Sequence, residues 1–99
     1  MRIFAKRTLR EFWELKPEYS DANGALEAWH KEVQKAEWQN STALKAQFRS
    51  ASFVKNRVVF NIAGSKYRLV VKFRYDKQRV FIKFIGTHQA YDQIDVGEI

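Results

Sequence analysis

Between Val58 and Ile85 apolar and polar residues alternate, with breaks around Gly64-Ser65 and Asp76-Lys77. Alternation puts successive side chains on opposite faces of a strand, so this stretch predicts three strands joined by two hairpins. Gly64-Ser65 has the glycine-first composition of a type II′ turn, whose twist suits the strands it joins. With those two residues as the loop, Ile62 faces Tyr67, Phe60 faces Leu69, Val58 faces Val71 and Arg57 faces Lys72. Asp76-Lys77 lacks glycine; a two-residue loop there sets Leu69 opposite Phe84, Val71 opposite Ile82 and Phe73 opposite Val80. One face then collects Val58, Phe60, Ile62, Tyr67, Leu69, Val71, Phe73, Val80, Ile82 and Phe84. The other collects Arg57, Asn61, Arg68, Lys72, Arg74, Arg79 and Lys83, with Val59, Val70, Phe81 and Ile85 among them. A slip of one residue would bury the cations, so the register is strongly specified.

The N-terminal half changes to helical spacing. Arg2 to Ala5 is short and β-prone, and predicts an additional strand. Thr8-x-x-Glu11 has the spacing of a capping box, followed by Leu9, Phe12 and Trp13 at helical intervals, and Pro17 should stop that helix. Ser20 or Asp21 can open a second helix, whose Ala22, Leu26, Trp29, Val33 and Ala36 form one apolar stripe. The tryptophans read as core and His30 as a surface or boundary residue. Asn40 to Phe53 reads as a connection with a turn of helix near Leu44. After the last strand, Thr87 can cap a short helix on which His88, Tyr91 and Asp92 share a face. The prediction is a single α+β domain over residues 1–99: strand, two helices, a three-stranded antiparallel meander and a short C-terminal helix.

Charge changes the picture from fold to partner. From Val54 to Lys83 there are nine basic residues and one acid, Asp76, within a chain of formal charge +7. Mixed signs would keep an exposed face soluble equally well, and unbalanced charge destabilises a compact state. Interleaved apolar groups would also give bases a surface to pack on. The face therefore reads as a polyanion site, with nucleic acid the leading partner. The absence of cysteine removes disulfides, thiolate zinc sites and thiol nucleophiles, and fits a reducing cytoplasm. His30 and His88 are too far apart to suggest a zinc pair, and no phosphate-binding glycine loop or serine-triad pattern is present. Neither a metal nor another cofactor is expected. No apolar run approaches the roughly 20 residues that span a bilayer, and the N-terminus is too mixed in character for a signal peptide.

Metal-free RNA cleavage requires a base for the 2′-hydroxyl, an acid for the departing 5′-oxygen and cations around the phosphorane. His88, Tyr91, Arg68, Lys72 and Lys83 supply those groups. At these residues the chain resembles the HigB family of type II toxin–antitoxin toxins. The resemblance runs from Leu44 to Asp95 and is carried by Asn61, Gly64, Tyr67-Arg68-Leu69, Gly86-Thr87-His88 and Tyr91-Asp92. It implies a RelE-like fold, with the N-terminal strand and two helices packed on a twisted antiparallel sheet. It also implies an mRNA-cleaving toxin that acts in translating ribosomes. A HigA-type helix-turn-helix antitoxin would silence it and connect it indirectly to operator DNA. On this resemblance His88 is the leading site residue, followed by Tyr91, then Arg68 and Lys83 as phosphate ligands. Arg57, Asn61, Lys72, Arg74 and Thr87 are further RNA contacts. A noncatalytic RNA- or ribosome-binding module and a gyrase-directed toxin on the same fold are the alternatives.

Overall fold

Ala5 leaves the first strand with φ of 73°, a left-handed turn that swings the chain directly into its first helix. The computed structural model describes residues 1–99. Its elements are β1 (Arg2–Phe4), α1 (Lys6–Leu15), α2 (Ala22–Lys35), α3 (Ser41–Gln47), β2 (Ser52–Val54), β3 (Arg57–Ile62), β4 (Tyr67–Arg74), β5 (Arg79–Thr87) and α4 (His88–Tyr91). Single 3₁₀ turns lie at Pro17–Tyr19, Tyr75–Lys77 and Val96–Glu98. The sheet order is β1-β5-β4-β3-β2, antiparallel except for β1, which lies parallel to β5. The fold is α+β and consistent with a RelE-like architecture.

Three readings of the N-terminal half change. The sheet gains β2, which the sequence reading left inside a connection; its three residues pair with β3 at the sheet edge. The turn near Leu44 is a full helix, α3, with the Asn40 side chain accepting from the Ala43 amide at 2.9 Å. The Thr8 capping box does not form. Helix α1 begins three residues earlier, with Ala5 at the N-cap position, and Thr8 lies inside it with its amide on the Ala5 carbonyl. Pro17 does end that helix, because the extended Lys16 before it cannot stay helical.

The inner face of the sheet meets the helices. Leu9 and Phe12 from α1, Leu26, Trp29 and Val33 from α2, and Leu44 from α3 are buried against Val58, Phe60, Leu69, Val71, Phe73 and Val80. The predicted register holds through the first hairpin, from Val58 opposite Val71 to Ile62 opposite Tyr67. Its turn carries positive φ at both Ala63 and Gly64. The second hairpin keeps Val71 opposite Ile82 and Phe73 opposite Val80, although its loop has four residues and uses left-handed Gln78 in place of glycine.

Beyond Ile82 the predicted pairing fails. Val70 faces Phe84 and Leu69 faces Ile85, so Lys83 is a surplus residue in a β-bulge. The bulge exchanges the two faces downstream: Ile85 packs on the main core and Phe84 joins the opposite side. That outer side is not simply solvated. Tyr91, Ile94, Val96 and Ile99 from the C-terminal segment cross it and cover Val59 and Val70, which are 4% and 0% exposed. These two valines are therefore not available to bases. Phe81, by contrast, remains half-buried on the outer face, stacked on Phe4 at 5.1 Å.

Candidate nucleic-acid interface and active site

The end of the sheet near the first hairpin is built from a cap, a bulge and one exposed carboxylate network. Thr87 lies opposite Tyr67 and Arg68 opposite Gly86. The Thr87 hydroxyl accepts from the Ala90 amide at 3.1 Å, which fixes the first turn of α4. Thr87 thus does the capping work expected of it. His88 follows, with its backbone N–H on the Lys66 carbonyl at 3.2 Å and its side chain 56% exposed. Its Nε2 stands 3.6 Å from an Asp92 carboxylate oxygen, in range to pair with the ring when the ring carries two protons. Tyr91, on the same short helix, is half-buried against the cluster that holds Val59 and Val70. Gly86, opposite Arg68, leaves room for the Phe84 ring: a Cβ there would lie 2.6 Å from it.

Beneath this corner, Asp21 opens α2 without capping it. One carboxylate oxygen accepts from the Tyr67 hydroxyl at 2.5 Å and the other from Lys66 Nζ at 2.7 Å. Lys66 and Tyr67 together hold the Asp21 carboxyl below the ordinary range, and Asp21 raises the Lys66 ammonium in return. Because Lys66 also receives the His88 amide, this network ties α2 to the base of the site. The sign of its pH dependence follows from Asp21. A carboxylate with a depressed folded pKa stabilises the native state above the ordinary aspartate pKa of about 3.9, and that contribution disappears as pH falls through the folded value. Asp21→Asn is expected to lower stability at neutral pH and to flatten the acid limb below about pH 4. Urea unfolding across pH checks it; an Asn variant that tracks the wild-type acid limb would remove Asp21 from the linkage.

The expected site residues divide into two groups. His88, Tyr91, Thr87, Arg68 and Asn61 gather at the α4 end, with Asn61 directly opposite Arg68. The Arg68 guanidinium donates to the Ser65 carbonyl at 2.6 Å and has no carboxylate partner. Lys72, Arg74 and Lys83 gather further along the strands and line, with Phe81, a shallow basin of about 220 Å³. Arg68 and Lys72 are about 13 Å apart along β4, at roughly 3.3 Å per residue. Arg74 is engaged by Asp76 through two contacts of 3.1 and 3.2 Å, whereas Lys72 and Lys83 have no acidic partner. Arg57 is tied to the C-terminal segment, donating to the main-chain oxygen of Ile99 at 2.9 Å from Nε.

Two features of the site were absent from the sequence reading. The first is the strip Arg2–Phe4–Phe81–Arg79, where both guanidinium groups lie over the Phe4 ring at 5.1 and 6.0 Å. It depends on the parallel pairing of β1 with β5, which no local pattern reveals. The second is the C-terminal cover, whose signal was available as the apolar residues Ile94, Val96 and Ile99 beyond Asp92.

Known proteins place this arrangement in a family. A profile of HigB toxins, described as the RelE-like toxic component of a toxin–antitoxin system, matches residues 22–94. The chain belongs to the HigB toxin family. The match covers α2 through α4 and thus every element that carries the two groups of site residues. The mRNA interferase toxin HigB of Escherichia coli K12 is 25% identical over 95 residues, which is 93% of this chain and 88% of that protein. The mRNA interferases HigB of Escherichia coli O157:H7 and Shigella flexneri match over the same 95 residues at 25% identity. As a HigB-family toxin, the protein has an antitoxin as its counterpart. No helix is long and apolar enough to cross a membrane.

Proposed function

We propose that this HigB-family toxin is an mRNA endoribonuclease that cuts on translating ribosomes, without a metal ion, and so stops translation. The relatives bear the name mRNA interferase, which supports the substrate and the reaction class. The observation that carries the reading is the exposed His88 imidazole, fixed by the Thr87-capped turn beside Asp92, at the margin of a face with unpaired cations.

In the proposed reaction the 2′-hydroxyl attacks the adjacent phosphorus and the 5′-oxygen leaves. The products are a 2′,3′-cyclic phosphate and a 5′-hydroxyl. An imidazole can both accept and donate a proton, and His88 would move one of the two protons. Asp92 would pair with the imidazolium formed when His88 accepts a proton. Tyr91 would present its phenol to the scissile nucleotide from the same helix, and Arg68 would hold a phosphate oxygen. Lys72 and Lys83 would bind flanking phosphates in the basin. A HigA-type antitoxin, through which the toxin would reach operator DNA, and a cytoplasmic setting complete the proposal.

Induced expression followed by mapping of mRNA 5′-ends tests it. The expected result is new 5′-hydroxyl ends phased with codons. Arrested translation with intact mRNA would support a noncatalytic ribosome-binding module instead, and DNA damage without mRNA cuts would support a gyrase poison.

A further inference from the structure

Phe53 is one of two large hydrophobic side chains left exposed, at 43%, and it stands between two grooves. On one side a groove of about 520 Å³ is lined by Lys45, Arg49 and the small face of α3. On the other a groove of about 370 Å³ contains Lys55, Asn56, Lys72 and Tyr75. Neither groove has an acidic residue in its lining. Lys72 also borders the basin formed with Arg74, Phe81 and Lys83, so the grooves at the sheet end continue onto the outer face. Lys55 holds a left-handed φ of 54°, an uncommon conformation for a residue with a side chain, at the turn that brings it beside Phe53.

A single exposed aromatic residue is ordinary on a protein surface. This one differs in its surroundings: a flat ring, cations on both sides and a basic path that leads toward the site already described. Aromatic platforms flanked by cations bind single strands by stacking a base and neutralising adjacent phosphates.

We infer that Phe53 is the stacking platform of a second RNA subsite. Single-stranded RNA passes from the Lys72–Lys83 basin around the sheet end, stacks a base on Phe53 and places phosphates near Lys55 and Arg49. The inference rests on the nuclease reading, because it treats the outer face as an RNA surface. Its own content is the remote subsite, which affects RNA affinity and not the chemical step.

The test uses full-length protein and a fluorescent single-stranded RNA of about twelve nucleotides, within the range of ssRNA site sizes. The RNA is 2′-O-methylated throughout so that it cannot be cut. Phe53→Ala is expected to weaken binding by about 5- to 150-fold, the loss typical of one stacked base, while Phe53→Trp retains it. Thermal unfolding should remain as in the wild type, since the ring is exposed. Wild-type affinity in Phe53→Ala would overturn the subsite even if the protein cleaves mRNA; in that case the nuclease reading stands alone. Loss of antitoxin affinity with unchanged RNA affinity would assign the groove to a protein partner and overturn it too. Failure of the wild type to bind the oligonucleotide would also overturn it, whereas failure of the nuclease reading itself would be seen separately, as intact mRNA on induction.

Discussion

His88→Ala is expected to slow single-turnover cleavage of ribosome-bound mRNA by about 10²–10⁴-fold, the usual loss for a removed general acid or base. The native fold should survive the change. The imidazole is 56% exposed, and its side chain pairs with Asp92 at 3.6 Å. The bond that anchors the residue, to the Lys66 carbonyl, uses the backbone amide and is kept by alanine. Thr87 continues to cap the turn through Ala90. Thermal unfolding and antitoxin binding should thus remain near wild type while the rate falls. Full activity in the variant would take His88 out of the mechanism and move proton transfer to Tyr91 or a lysine.

The second large effect is on stability, and it sits far from any chemistry. Phe60→Ala should cost about 3–5 kcal/mol, the range for a buried phenylalanine removed without full collapse of the space. Phe60 is 3% exposed and contacts three aromatic partners edge-on: Trp29 at 5.5 Å, Phe48 at 5.0 Å and Phe73 at 6.3 Å. These rings come from α2, the end of α3 and β4, so a cavity there loosens the sheet from two helices at once. A domain of this size holds about 5–15 kcal/mol in total, and each kcal/mol moves Tm by roughly 4–8 °C. The melting temperature should fall by about 12 °C or more. Leu15→Ala is the matched control, because its side chain is 69% exposed and should shift stability by no more than about 0.5 kcal/mol. A loss below about 1 kcal/mol in Phe60→Ala would mean that the neighbouring rings close the gap.

The meander was readable because burial on one face makes alternation and register the same information. From Val58 to Ile82 the pairing follows the pattern of apolar residues. The pattern becomes ambiguous at Phe84-Ile85, where two large apolar residues adjoin and either can face the core. The bulge resolves that choice in favour of Ile85, for reasons of tertiary packing that lie outside the strand. β2 escaped notice because a three-residue edge strand is held by backbone bonds to β3 and has too few side chains to show a period. The parallel seat of β1 joins residues 77 positions apart and likewise leaves no local trace. For the candidate site, the identity of the groups was readable and their distribution was not. Face parity put Lys72, Lys83 and Arg68 on one surface, but only the crossing of the C-terminal segment shows that apolar cover fills the middle of it.

The surplus residue at Lys83 makes the two ends of β5 unequal in their tolerance of length change. Insertions in the 75–78 loop lengthen a surface connection at small entropic cost and leave both flanking strands as they are. Gain of a second surplus residue between Ile82 and Gly86 would, by contrast, turn every side chain that follows to the other face. Arg68 would then face a different neighbour from Gly86, and α4 would depart from the other side of the sheet, carrying His88 with it. Variation in chain length should thus collect at the first of these places and be rare at the second, even though only a few residues separate them.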